Sequence, residues 1–341
     1  MLNNNHQARW WKKLEKGNVQ CYLCPRLCII PEGKKGFCFV RQNIRGELIL
    51  TTYGRSSGFC IDPIEKKPLN NFYPGTTALS FGTIGCNLGC LFCQNSSISK
   101  PSKDIFLDES ISPCSIAQSA KKSNCKSVAF TYNEPIVSAE YVADTAKECH
   151  KIGIKTVAVT AGYILKEARE EFFKNIDATN VDLKSFSNNF YKKFCSASLK
   201  PVLDTLIFIK KQTDTWLEIT NLVIPNKNDS ADEIEKMCSW IVSELGKDVP
   251  LHFSAFHPSF KMMNHPPTPK KTLENAREIA LSKGLRYVYL GNVYDEKGEN
   301  TYCHNCGDVV ISRKNYQIIN YKLDAGSKCK ECGTLCAGCF D

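Results

Sequence analysis

The sequence lacks a long apolar run at its start: Met1 to Val19 is polar and carries Trp10, Trp11, Lys12 and Lys13. That stretch offers neither the apolar core of a secretory signal nor a membrane span, so a cytoplasmic protein that crosses no membrane is expected. A basic stripe with interleaved aromatics is missing as well. The lysines are scattered, so the formal charge of +9 reads as solvated surface, and nucleic acid is not an expected partner. That charge also counts every cysteine as neutral. Two four-thiolate zinc sites and one four-iron cluster on three thiolates would lower it to about +4. The even C-x2-C-x2-C-x3-C-P spacing of bacterial ferredoxins is absent too, and no pattern assigns a general acid or base.

What is present in quantity is cysteine, with nineteen in 341 residues. Thirteen of them fall into three tight clusters in a long chain without a signal, which favours metal ligation in a reducing compartment over disulfides. The most telling cluster is Gly85-Cys86-Asn87-Leu88-Gly89-Cys90-Leu91-Phe92-Cys93, a CxxxCxxC run that gathers three thiolates on one short loop. A four-iron cluster normally takes four cysteines, so three leave one iron open to a substrate-like cofactor. A zinc knuckle or unconnected buried thiols are the plainer readings. The loop follows a strand-like segment, Thr77 to Thr83, where a barrel would carry its site. This spacing, with Phe92 before the last cysteine, resembles the signature of the radical S-adenosylmethionine (SAM) enzymes, whose open iron chelates the amino and carboxylate groups of SAM.

Three regions follow along the chain. Residues 1–75 form a cysteine-rich N-terminal region with Cys21, Cys24, Cys28 and Cys38, turn signals at Pro31, Gly33 and Gly36, and a strand from Gly46 to Gly54. Four thiols at these spacings can reach one zinc ion, hold a second iron–sulfur cluster, or be simple buried thiols. Residues 76–297 alternate strands with amphipathic segments. The strands are Thr77 to Thr83, Ser127 to Thr131, Lys155 to Thr160, Asn180 to Lys184, Thr215 to Val223, Pro250 to Phe256 and Arg286 to Leu290, and the clearest helices are Ile136 to Lys151 and Ala231 to Leu245. This predicts an α/β parallel sheet, a partial TIM barrel of about six βα units.

Residues 298–341 hold two CxxC knuckles, Cys303–Cys306 and Cys329–Cys332, on either side of a hairpin from Asp308 to Leu323. That is a zinc-ribbon pattern, with four thiolates around one ion and metal supplying most of the folding free energy. The ribbon is expected to be a module structurally separate from the barrel. Cys336 and Cys339 form a third CxxC without a partner pair, readable as a redox pair, alternative ligands or terminal thiols.

Catalytic groups of a barrel lie at the C-terminal ends of its strands. Tyr132-Asn133-Glu134-Pro135 follows the second strand, Thr160-Ala161-Gly162-Tyr163 the third, Asp182 and Lys184 end the fourth, Glu218 and Thr220 lie in the fifth, and His257 closes the sixth. SAM presents an amino group, a carboxylate, a ribose and an adenine, which such carboxylates, amides, hydroxyls and a lysine could receive.

The CxLCPxxC run at Cys21, together with Asp62 to Leu69, Phe72 to Thr76, Cys86 to Ser96, Thr131 to Pro135, Pro250 to Pro258 and Gly291-Asn292-Val293, resembles the radical SAM member of the AmmeMemoRadiSam system. That group is similar to pyruvate formate-lyase activating enzymes. The resemblance implies an oxidoreductase in which Cys86, Cys90 and Cys93 bind a 4Fe-4S cluster and Phe92 lies beside the adenine. Asn133 and Glu134 would occupy the loop that receives the methionine amino group, and Asp182, Lys184 and His257 match positions that contact SAM. It further implies a low-potential electron donor, and a protein substrate or companion proteins of that system as partners. The chain departs from the pattern at Tyr132 and Asn133, where glycines are common, and at Ala161, where an asparagine is frequent and contacts the ribose. A reading of another class is a metal-dependent binding module built on the zinc ribbon, without radical chemistry.

Overall fold

Short β-branched runs separated by amphipathic segments fold as one open, mostly parallel sheet. A computed structural model describes residues 6–100 and 110–340, so the first five residues of the polar start lie outside it. Seven strands run parallel in chain order: β1 (Thr77–Phe81), β2 (Ser127–Phe130), β3 (Lys155–Thr160), β4 (Ala178–Asp182), β5 (Trp216–Val223), β6 (Leu251–Ala255) and β7 (Val288–Gly291). Each pairs with the next in parallel. An antiparallel strand, Phe59–Pro63, closes the β1 edge with Asp62 opposite Ala78. This edge strand was not expected from the sequence.

Parallel strands covered on both faces need continuous apolar runs, and all four residues of β2 are buried. Helices fill the crossovers. Helix Ala139–Lys151 follows β2, and Ala231–Glu244 follows β5 with Ile234, Met237, Cys238 and Ile241 buried on one stripe. Each such side chain contributes about 1.5–3 kcal/mol by leaving water. The second helix begins where Ser230 accepts from the Glu233 amide, one of its orphan donors.

The N-terminal region builds two small antiparallel sheets, His6–Gln7 with Glu47–Leu50 and Arg41–Ile44, and Trp11–Lys13 with Val19–Cys21 and Ile29–Ile30. A buried ion pair, Arg41 to Glu140 at 2.6 Å, ties it to the helix after β2.

The C-terminal segment forms an antiparallel sheet of Thr301–Tyr302, Val309–Lys314 and Gln317–Tyr321. It is not separate from the barrel, which differs from the sequence expectation. Arg313 donates to the Asn70 carbonyl at 2.7 Å, Cys339 exchanges backbone hydrogen bonds with Asn71 and Tyr73, and the Asn71 amide donates to the Ala337 carbonyl. Buried main-chain groups of residues 70–73 need partners, and this tail supplies them. Among the described residues, no helix is long and apolar enough to cross a membrane.

Candidate functional site

The chain leaves β1 into the three-cysteine loop, and Asn133, just past β2, holds that loop in place. Its amide donates to the Gly85 carbonyl at 2.9 Å and to Thr83 Oγ1 at 3.0 Å, and its oxygen accepts from the Thr83 amide at 2.9 Å. Lys100 Nζ donates to the Cys86 carbonyl at 2.7 Å, and the Gly89 and Leu91 amides reach the Cys195 and Phe194 carbonyls. Leu88 and Phe92 are buried beneath the loop, with Phe92 5.8 Å from the Phe190 ring.

Cys86, Cys90 and Cys93 all face one cleft of about 510 Å³, within the usual range for small-molecule sites. Phe92, Asn133, Glu134, Thr160, Asp182 and Lys184 line the same cleft, so these expected positions do converge. Burial pushes the Cys86 and Cys93 thiols up, while a hydrogen bond with the Cys195 thiol, followed by burial, raises Cys90 well above the usual range. Thiols held neutral in this way become thiolates only against a cation, and a coordinating metal provides one. Their three sulfurs do not all lie within 4.8 Å of one another. Three thiolates on one loop can hold a metal group that keeps one position open.

Glu134 is buried and accepts from Thr160 Oγ1 at 2.5 Å, the Ala161 amide at 2.8 Å and the Ile136 amide at 3.1 Å. Burial outweighs these donors and pushes its carboxyl up to about 6. Thr160 thus serves Glu134, and the loop departure at Ala161 leaves only a backbone amide, which is spent on the same carboxylate. Asp182 and Lys184 pair at 2.6 Å at the mouth. Burial opposes the ammonium, yet Asp182 and then Cys90 hold it well above the usual lysine range.

Two expected residues sit elsewhere. His257 is exposed, outside the cleft lining, with Nε2 3.3 Å from the Asn292 carbonyl, because β6 ends at Ala255. Glu218 is fully buried under the cleft, where it accepts from the Asn70 and Asn71 amides, Trp216 Nε1 and His252 Nε2 at 2.6 Å. It organises the segment after the edge strand and faces no ligand space. His252 lines the cleft instead.

Tyr132 and Thr220, expected at strand ends, line the cleft, and so do Lys67 and Arg313, to which sequence reasoning gave no role. Lys67 Nζ and the Tyr132 hydroxyl both donate to Asp62, at 2.6 and 2.7 Å. Burial would raise that carboxyl, but Lys66, Lys67 and Tyr132 together hold it far below the usual range. Thr220 Oγ1 is buried without a partner and belongs to the cleft wall. The run Asp62 to Leu69 was the available signal for this wall.

At the other end of the chain, Cys303, Cys306, Cys329 and Cys332 bring all four sulfurs within 4.8 Å of one another, with Cys303–Cys332 at 3.6 Å and Cys306–Cys329 at 3.8 Å. A tetrahedral ion with metal–sulfur bonds of about 2.3 Å sets edges of about 3.8 Å, so the donor set fits one zinc-sized cation.

With this geometry in view, comparison with known proteins places residues 81–241 in a match to the model of the radical SAM superfamily. An uncharacterized protein of Methanocaldococcus jannaschii is 44% identical over 329 residues, 96% of this chain and 97% of that protein. The pyruvate formate-lyase 1-activating enzyme of Escherichia coli is 22% identical over 234 residues, 63% of this chain and 93% of that enzyme. Among solved structures, a radical SAM methyltransferase from Sphaerobacter thermophilus superposes with a TM-score of 0.50 at 13% identity, covering 64% of this chain and 67% of that one, a likeness of fold alone.

Proposed function

Because the chain belongs to the radical SAM superfamily and is homologous to activating enzymes of glycyl-radical proteins, we propose that Cys86, Cys90 and Cys93 hold a 4Fe-4S cluster and that the cleft beside them receives SAM. When bound, that pair supplies one-electron reductive cleavage of SAM to methionine and a 5'-deoxyadenosyl radical for hydrogen abstraction from a substrate. The chain's own residues orient and enclose. Lys184, tethered by Asp182, is the cation for the SAM carboxylate, and Phe92 forms an apolar wall for the adenine. Asn133 acts through the loop it braces, and Glu134 offers a buried carboxylate toward the methionine amino group.

The observation that carries this reading is the convergence of three thiols, Glu134 and the Asp182–Lys184 pair in one cleft. A binding module without radical chemistry would leave that convergence without a purpose. The name of the Escherichia coli relative says that it activates pyruvate formate-lyase. On that likeness the hydrogen comes from a partner protein. The motifs shared with the AmmeMemoRadiSam group favour the companion proteins of that system, and a low-potential donor supplies the electron. In this reading the ribbon's four cysteines hold zinc, supported by their 3.6 and 3.8 Å separations.

The test is anaerobic reconstitution with iron and sulfide, followed by one-electron reduction with SAM present. Chromatography should detect 5'-deoxyadenosine and methionine, and Cys86→Ala, Cys90→Ala and Cys93→Ala should each abolish both. An intact cluster that leaves SAM uncleaved after reduction would sink the proposal.

A further inference from the structure

The four N-terminal cysteines form a second thiol site that the radical machinery above does not use. Cys21 ends the strand Val19–Cys21, and its amide donates to the Cys28 carbonyl at 3.0 Å, which sets these two residues side by side. A tight turn, in which the Leu27 amide donates to the Cys24 carbonyl and Leu27 has φ +47°, brings Cys24 to the same place. Cys38 arrives from the turn that precedes the strand Arg41–Ile44, with the Phe39 amide on the Gly36 carbonyl. All four surround one void, walled otherwise by Leu23, Ile30 and Val137 and by the buried Arg41.

We propose that Cys21, Cys24, Cys28 and Cys38 hold a second iron–sulfur cluster and not zinc. Sulfur spacing separates the two. A single zinc draws its four sulfurs to edges of about 3.8 Å, as the ribbon's cysteines show at 3.6 and 3.8 Å. A cluster gives each thiolate its own iron, so its sulfurs stand further apart around a void. Among the described residues the ribbon alone gathers three or more ligating atoms within 4.8 Å of one another. Neither the N-terminal four nor Cys86, Cys90 and Cys93 are gathered within that distance. The same chain thus contains one gathered site and two that are not. Arg41, fully buried with Glu140 at 2.6 Å, gives the void a cationic wall suited to a thiolate-bound group.

The second site also shares a wall with the first. Arg26, between Cys24 and Cys28, donates to the carbonyls of Asn87 and Ser196, and Asn87 lines the void from the three-cysteine loop. The Cys38 carbonyl packs against Gly85, the residue before Cys86.

Anaerobic reconstitution of the full chain, with iron, sulfide and zinc counted per chain, decides the matter. The expected wild-type content is about eight irons and about one zinc. The double variant Cys24→Ala/Cys28→Ala should keep about four irons, and retention of the ribbon zinc should show that it is folded. The triple variant Cys86→Ala/Cys90→Ala/Cys93→Ala should also keep about four, with an electron paramagnetic resonance signal on reduction that added SAM does not alter, since every iron is then thiolate-capped. About four irons that vanish in the triple variant, with or without a second zinc, overturn the proposal. About four irons that survive the triple variant and vanish in the double variant uphold this site and remove the first.

Discussion

Asp182, the last residue of β4, and Lys184, two residues on, pair at 2.6 Å in the wall of the cleft that holds the three thiols. The pair is partly buried, and its geometry leaves the ammonium's other protons for a ligand carboxylate. Lys184→Ala should weaken SAM binding by about 10- to 100-fold, the worth of a charge-assisted hydrogen bond of about 1.5–3 kcal/mol. Iron content should stay unchanged. Equilibrium binding with iron analysis checks both, and lost iron would count against a ligand contact.

Gly85 has φ +89°, and a Cβ there would stand 2.2 Å from the Cys38 carbonyl oxygen and 2.9 Å from Val40 Cγ1. Neither the backbone oxygen nor the strained φ can yield cheaply. Gly85→Ala should therefore displace the three-cysteine loop from the N-terminal region and lower reconstituted iron. A variant with wild-type iron would show that the two backbones can part.

Arg313 is buried against the Asn70 carbonyl at 2.7 Å, Thr301 Oγ1 at 2.8 Å, the Glu299 carbonyl and, at 3.7 Å, Glu65. Burial already raises the Glu65 carboxyl, and removing its cation leaves it unpaired. Arg313→Ala should cost about 3–5 kcal/mol, a fall of about 10 °C in the melting temperature. Truncation before residue 298 should destabilise the barrel for the same reason. An unchanged melting curve for either would restore the separable ribbon.

Asp177 accepts from His150 at 2.7 Å, Lys155 at 3.0 Å and the Thr156 amide at 2.8 Å. Burial opposes its ionisation, but these donors win and hold the carboxyl down to about 2. The folded value lies below the unfolded one, so ionisation favours the native state. This stability is complete above about pH 4 and is lost as pH falls toward 2. After screening of its half-exposed partners it amounts to about 1 kcal/mol. Asp177→Asn should lower the melting temperature at pH 7 more than at pH 3, and equal losses would contradict the linkage.

Cys306 and Cys332 are exposed members of the ribbon's thiol group. A chelator that strips zinc should unfold the sheet of residues 301–321 while iron stays in place, since a small segment without metal has too little core. Hydrogen exchange across that sheet is the readout, and unchanged protection would argue against a structural metal there.

The sequence by itself determined what depends on near neighbours. The spacing of Cys86, Cys90 and Cys93, the two ribbon knuckles and strand Lys155–Thr160 all follow from a few consecutive residues, because loop closure and side-chain period are local. It also placed Glu134, Thr160, Asp182 and Lys184 at strand ends that do converge. Only the tertiary structure decided what lies beside them. His252 lines the cleft from within β6, whereas His257 lies two residues past the strand's end and outside the lining, because a residue beyond the strand is no longer aimed by its alternation. Lys67 and Arg313 entered the wall through an edge strand and a C-terminal tail that pack on the barrel across long stretches of chain, and Arg313 meets Asn70 from 243 residues away. Such pairings are set by sheet register and by the need of buried backbone groups for partners, which no local pattern encodes.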